Sequence, residues 1–311
     1  MEKILYVENS INDCLKEAKK YLNCKVIIYI KEGIYKEVLE INQNNLTLIG
    51  IGNPIITNNR YALEILEDGL KRGTFRTYTV LINADNITLK NLTIENSIGS
   101  GDIYGQAIAL YADGDNLQFD NCKLLGHQDT LFIGPLPEKE VEKGGFRGPK
   151  EFSPRRYIKQ FYHNCYIEGD VDFIFGSGLG YFLDCTIYSL NRDKEVNGFI
   201  TAASTIKDEK YGFIFNNCKF LSNCQEDTVY LGRPWREYAK TVIINSYLDK
   251  HIKKEGWHDW KKEIAHTTSF YAEKNNTGPS SNLDNRVSWI KNIDDISEYN
   301  PLKVLGKWIN I

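Results

Sequence analysis

Asn164-Cys165-Tyr166-Ile167-Glu168-Gly169-Asp170-Val171-Asp172-Phe173-Ile174-Phe175-Gly176 opens with a turn-and-strand tetrad and closes on a carboxylate set among apolar residues. The tetrad is an Asn or Asp, a small or apolar residue, a variable residue, and an aliphatic or Phe. It recurs as Asn45-Leu46-Thr47-Leu48, Asn86-Ile87-Thr88-Leu89, Asn91-Leu92-Thr93-Ile94, Asn116-Leu117-Gln118-Phe119 and Asn121-Cys122-Lys123-Leu124, then as Asp184-Cys185-Thr186-Ile187, Asn217-Cys218-Lys219-Phe220 and Asn245-Ser246-Tyr247-Leu248. Each copy reads as a turn residue that tolerates the left-handed backbone region, followed by a short strand with two inward side chains. From Asn91 the copies step to 121, 164, 184, 217 and 245, intervals of 30, 43, 20, 33 and 28 residues. Unequal steps on a repeated unit fit a coil of about 20 residues carrying loops of variable length. The expected fold is therefore all-β, a right-handed parallel β-helix in which Asn side chains and small apolar residues stack coil upon coil. A β-sandwich would need hairpins, and two-residue hairpin loops flanked by alternating strands are scarce here.

Outside the repeats, Ser10-Ile11-Asn12-Asp13 has the form of a capping box, with Ile11, Leu15, Ala18 and Leu22 on one face of the helix that follows. A short amphipathic helix before a β array predicts a cap over the open end of the solenoid. The 311 residues suit a single domain, 1–311, because a solenoid grows along one axis. Between 132 and 156 the pattern breaks into Gly134-Pro135-Leu136-Pro137, alternating Glu and Lys, and three more stretches with Gly or Pro, Gly144-Gly145, Gly148-Pro149 and Ser153-Pro154. This excursion is too short for its own core and accounts for the 43-residue step. Trp257 to Trp260, Tyr271 and Trp289 are expected to close the far end of the array.

The chain carries 38 basic and 41 acidic residues, so no overall field draws it to nucleic acid or to anionic lipid. It has no apolar run of membrane-spanning length. The start lacks a secretory h-region, which reads as cytoplasmic, or as secreted if a leader was removed. The seven cysteines form no C-x-x-C pair or zinc spacing, and the four within tetrads are expected to stack in the core as reduced thiols.

Four stretches set polar groups beside strand residues: Gly105-Gln106-Ala107-Ile108-Ala109-Leu110, His127-Gln128-Asp129-Thr130-Leu131, Val171-Asp172-Phe173-Ile174-Phe175-Gly176 and Leu231-Gly232-Arg233-Pro234-Trp235. An ionised Asp172 between Val171 and Phe173 would lose hydration worth several kcal/mol unless a cation or donors replaced the water, or unless strand alternation turned it to solvent. Gln106 and Gln128 lie 22 residues apart, about one coil. Asp129 and Asp172 lie 43 apart, which the excursion reduces to about one coil, and Arg233 can reach the same face. Two carboxylates, two amides and a guanidinium suit acyl transfer without serine, metal or cofactor: one carboxylate attacks an ester, a protonated one serves the leaving group, and amides hold the oxyanion. The two acids must then differ in protonation, and a bidentate Arg would hold one of them ionised.

With these stretches in this order the chain resembles carbohydrate esterase family 8, the pectin methylesterases. The likeness rests on GIYKE (33–37), GQAIAL (105–110), QDTL (128–131), DFIFG (172–176), LGRPW (231–235) and GWHDW (256–260). It implies a parallel β-helix that hydrolyses galacturonosyl methyl esters of pectin or of methylated oligogalacturonides. By motif, Asp172 would be the nucleophile, Asp129 the general acid and later base, and Gln106 and Gln128 the oxyanion donors. Arg233 would orient Asp172, Trp235 would contact substrate by stacking on a pyranose face, and Thr74 would also touch substrate. Thr201-Ala202-Ala203 and Ser177-Gly178-Leu179-Gly180 depart from the family's usual residues and bear on subsite preference. The 132–156 excursion is expected to wall one end of the cleft and to favour short oligogalacturonides. The alternatives are another polysaccharide enzyme on the same solenoid, such as a pectate lyase or polygalacturonase, and a glycan-binding β-helix without catalysis. Methanol release without chain cleavage would separate them.

Overall fold

A computed structural model describes residues 2–310. Successive coils build three parallel sheets, of ten, seven and eight strands. The ten-stranded sheet runs from Glu2–Tyr6 to Phe270–Lys274, and the seven-stranded sheet from Leu39–Ile41 to Val229–Gly232. This is the right-handed parallel β-helix that the tetrads predict.

The tetrads work as expected, and the structure divides them into two families of turn. Asn45, Asn86 and Asn116 lead into the ten-stranded sheet, whereas Asn91, Asn121, Asn164, Asp184, Asn217 and Asn245 lead out of it. All nine have positive φ, between 51° and 62°. Asn and Asp tolerate this region because a short polar side chain can bond locally. The side chains also bond between coils: Asn86 Nδ2 donates to Asn45 Oδ1 at 3.1 Å, Asn116 Nδ2 to Asn86 Oδ1 at 3.1 Å, and Asn121 Nδ2 to Asn91 Oδ1 at 2.8 Å. Each rung fixes the turn of one coil over that of the next.

Inside, the second tetrad position forms the cysteine column. Cys122, Cys165, Cys185 and Cys218 are all buried free thiols, and Ser246 continues the line by accepting the Cys218 N–H at 3.0 Å. Beside it Phe119, Tyr162, Phe182 and Phe215 stack with centroids 4.4 to 4.7 Å apart. Identical register on every coil brings like side chains face to face, so burial and stacking are gained together.

The two ends are closed differently. The helix Ile11–Ala18 buries Ile11, Leu15 and Ala18, and Ser10 accepts the Asp13 N–H as its cap. Glu37, from the GIYKE motif, supplies a carboxylate to the first turn, accepting the N–H groups of Ile11 and Asn12. The expected inward position of Leu22 is not found. The α-helix stops at Ala18, a 3₁₀ turn follows at Lys19–Tyr21, and Leu22 is 65% exposed. The strand Glu2–Tyr6 ahead of the helix was not expected from sequence, because no face of this edge strand is fully buried. At the far end Trp257 stacks on Tyr271 at 4.4 Å, and Trp289 packs against Tyr271. The C-terminal tail returns over the outer face of the ten-stranded sheet, where Gln118 and Asn310 exchange hydrogen bonds.

Two stability predictions follow from this packing. Asn121→Ala should cost about 1–2 kcal/mol in urea titrations through loss of its rung and left-handed strain, and Asn121→Gly distinctly less. His251 is wholly buried with both ring nitrogens unbonded, and burial pulls its pKa down to about 4, with Asp249 pulling weakly the other way. The unfolded chain, with an ordinary imidazole near 6.5, takes up the proton first. Stability from this group is therefore full above about pH 6.5 and is lost as pH falls toward 4, by up to ~3 kcal/mol. His251→Leu should lose correspondingly less stability than the parent between pH 7 and 4.

Candidate active site

The seven-stranded sheet levels the site residues. Leu131 pairs with Ile174 across adjacent coils, so Asp129 and Asp172, each two residues earlier, occupy equivalent positions. Both have positive φ, 66° and 51°, and the ladder shifts register between Val171 and Ile174. That irregularity lets an Asp in an apolar strand present its carboxylate to the outer face. One coil before Asp129, the Ala107 N–H donates to the Gln128 carbonyl at 3.1 Å, setting Gln106 and Gln128 side by side as their spacing predicts. The short helical turn Gly101–Tyr104 presses on Gln128: a Cβ at Gly101 would lie 2.4 Å from Gln128 Oε1.

Arg233 follows the strand Val229–Gly232, two coils beyond Asp172. Its guanidinium reaches back between two rings, 3.8 Å from the Phe199 centroid and 3.7 Å from that of Trp260. It meets Asp172 in a bidentate pair, Nε to Oδ1 at 2.8 Å and Nη2 to Oδ2 at 2.7 Å. A planar fork stacked on both faces has little freedom left to lose, which favours a directed charge-assisted pair.

Asp172 is 6% exposed, so this part of the molecule is not the open solvated face that strand alternation alone would give. Asp129 is 7% exposed and, among the described residues, its carboxyl has no hydrogen-bond partner. Burial pushes both acids up from the ordinary range. Arg233 pulls Asp172 back down, though burial outweighs it, so the expected depression below the usual value is not found. Asp129 is driven further up, by burial first and then by the negative charge of Asp172. The pair is thus split in the expected order, with Asp129 driven further up than the Asp172 held in the guanidinium fork.

All seven residues singled out from sequence, Thr74, Gln106, Gln128, Asp129, Asp172, Arg233 and Trp235, line one cleft of about 350 Å³. Among the described residues neither side-chain amide of Gln106 and Gln128 is bonded to protein, so both donors are free toward the cleft. Sequence reading missed Phe75, Phe146, Phe175, Arg236 and Trp260 as lining residues. Sequence reading places Trp260 in GWHDW and in the closure of the array, and consecutive left-handed residues at Trp260 and Lys261 turn its ring onto Arg233. The excursion contributes Val141, Glu142, Gly145 and Phe146 to the wall.

Comparison with known proteins adds the following. The family model described as Pectinesterase matches residues 7–135 and 155–304, leaving most of the excursion unmatched. A putative pectinesterase/pectinesterase inhibitor 28 of Arabidopsis thaliana is 33% identical over 316 residues, covering 96% of this chain and 39% of that protein. The chain thus spans less than half the length of that relative. The solved pectin methylesterase of Yersinia enterocolitica is 28% identical with a TM-score of 0.79, covering 97% of this chain and 99% of its own. A pectin methylesterase solved in complex with a hexasaccharide is 26% identical with a TM-score of 0.80, covering 99% and 98%.

The buried pair gives a direct test. Arg233→Ala strands Asp172 without its counter-charge, and at pH 7 should destabilise the protein by about 3–5 kcal/mol. Adding Asp172→Asn should restore most of that loss. Equal stability of the single and double variants in chemical denaturation would show that the pair carries no such coupling.

Proposed function

This chain belongs to the pectinesterase family, and we propose that it hydrolyses galacturonosyl methyl esters of pectin or of methylated oligogalacturonides to free carboxylate and methanol. The observation that carries the reading is the bidentate Arg233–Asp172 pair beside a buried, partnerless Asp129 and two free amides. A relative that binds a hexasaccharide along the same fold supports a sugar-chain ligand.

In the proposed reaction an ionised Asp172 oxygen attacks the ester carbonyl. The charge that moves onto the carbonyl oxygen is met by N–H groups of Gln106 and Gln128, fixed before the reaction begins. Collapse breaks the bond to methoxide, and Asp129 gives its proton to that oxygen, so methanol leaves and an anhydride joins Asp172 to the uronate. Asp129, now a carboxylate, takes a proton from water as the water attacks the uronate carbonyl. The anhydride opens, Asp172 returns as carboxylate held by Arg233, and Asp129 is again the acid. Only a split pair can do both halves: two ionised acids would lack the proton, and two neutral acids the nucleophile. Trp235 and Thr74, both partly exposed, line the cleft, where the ring would stack on a pyranose and the hydroxyl would bond to it.

Asp172→Asn should abolish methanol release from methylated oligogalacturonides, by 10³-fold or more on the order of a lost covalent nucleophile. Because Asn keeps the shape but loses the charge, Arg233 is left half-buried and unpaired, and the variant's thermal unfolding should be recorded alongside. A folded variant that still released methanol at the parent rate would remove Asp172 from the mechanism.

A further inference from the structure

His127 and Asp170 flank the reacting residues and take no part in the proposed steps. His127 precedes Gln128 and Asp129, and Asp170 lies two residues before Asp172. Regular pairing of the two strands begins only at Leu131 and Ile174, so the turns that bear the acids lie outside the ladder. Other bonds hold them together. The Asp170 N–H donates to the His127 carbonyl at 3.2 Å, and the Asp129 N–H to the Val171 carbonyl at 3.0 Å. Thr130 Oγ1 is shared between the His127 and Glu168 carbonyls, at 3.2 and 2.9 Å. Between the side chains, His127 Nδ1 meets Asp170 Oδ2 at 2.9 Å, while Asp170 Oδ1 accepts the Val171 N–H at 2.7 Å. The Asp170 side chain is wholly buried, and that of His127 is 33% exposed. A Cβ at Gly169 would lie 2.5 Å from the His127 carbonyl, an approach of the two turns that only glycine permits. Among the described residues neither His127 nor Asp170 lines the cleft.

A buried carboxylate needs donors for its oxygens in place of water. Asp170 takes one from the backbone of its own turn and one from the ring of the coil before, so it bridges two coils at the level where the ladder is missing. We infer that His127 and Asp170 are positioning residues for the proposed reaction: their pair locks the turn of Gln128 and Asp129 to the turn of Asp172, and it stands a third acid behind the two that react. The inference rests on the esterase reading for the reaction it serves. Asp129 and Asp172 face the pair from the cleft side, with Arg233 and, near Asp172, Lys262. Cys224 faces Asp170 from the core, and the next coil brings the uncharged Gly198 against its carbonyl. At the flank Arg192 and Lys194 are paired with Asp102, in the helical turn that presses on Gln128. Burial is the first cause that raises both reacting acids, with Asp172 next for Asp129; Arg233 pulls both down, and Asp170 raises both further. Without the charge of Asp170, each should lose its proton at lower pH.

The test compares the full chain with His127→Phe, which removes the ring donor, His127→Gln, which keeps a donor, and Asp170→Asn, which keeps the shape without the charge. The first measurement is kcat and KM for methanol release from methylated hexagalacturonide as a function of pH. The second is the titration of the Asp129 carboxyl by carbon NMR of isotope-labelled protein, assigned with Asp129→Asn. His127→Phe should lower kcat about 10²-fold with KM within about twofold, the scale of a reacting group displaced by about an ångström. His127→Gln should recover part of that loss. Asp170→Asn should move both limbs of the kcat profile to lower pH, because Asp172 ionises and Asp129 deprotonates sooner, and the Asp129 titration should move the same way. A smaller folded fraction lowers the rate but moves neither the limbs nor the titration. Asp170→Thr, also uncharged, replaces Asp170→Asn where the latter does not fold. The parent's kcat in His127→Phe overturns the lock, and limbs and titration unmoved in the uncharged variant overturn the third acid. A parent that releases no methanol defeats the esterase reading alone, since the Asp129 titration still decides whether Asp170 acts on it.

Discussion

Register between coils is the constraint on which everything else in this molecule depends. Side chains in a parallel ladder repeat at one level from coil to coil, so a residue's place along its strand fixes which residues of the next coil it meets. Leu131 opposite Ile174 puts Asp129 level with Asp172, and Thr201 opposite Gly232 sends Arg233 out at the height from which it can reach back to Asp172. A slip of one residue would exchange inward and outward faces for the whole strand. The Asn rungs and the cysteine column resist that slip from outside and inside the same turn. Their position far from the cleft is what frees the outer face of the seven-stranded sheet for polar side chains.

On that face, burial alone would neutralise both acids. The protein departs from this symmetry at one of the two, by directing a stacked guanidinium at Asp172 and none at Asp129. The negative charge so fixed then makes ionisation of Asp129 harder still. One ion pair thus acts on both acids in opposite directions, lowering Asp172 through Arg233 and raising Asp129 through Asp172. The rings of Phe199 and Trp260 matter for the same reason: they replace water around the guanidinium without offering a competing acceptor.

Much of this was readable in the chain. Nine tetrads specified the solenoid because each couples a left-handed turn to a strand, a local signal that tertiary packing reinforces. The stretches around Gln106, Gln128, Asp129, Asp172 and Arg233 were found because a repeat near 20 residues converts sequence distance into spatial adjacency. What was hidden had no local signature. Leu22 continues an apolar face that the chain leaves by tightening into a 3₁₀ turn. Asp172 lies in a register irregularity that alternation does not foretell. Trp260 reaches the site through two consecutive left-handed residues that are neither Gly nor Asn, so no turn rule marks them.

The excursion is anchored by more than its alternating Glu and Lys. Phe146 is buried, edge-on to both Phe75 at 5.7 Å and Trp235 at 6.3 Å. Arg155 gathers the carbonyls of Pro137, Lys150 and Glu151, and Lys150 reaches the buried Asp113 of a neighbouring coil. Glu140, itself exposed, accepts the Gly144 and Phe146 N–H groups. The loop is thus held by its own backbone and by one aromatic anchor, which leaves Val141 and Glu142 free at the rim. An insertion tied down this way adds a wall to the cleft without disturbing the ladder, because the strands Leu131–Ile133 and Lys159–His163 on either side keep the pairing that the coils require.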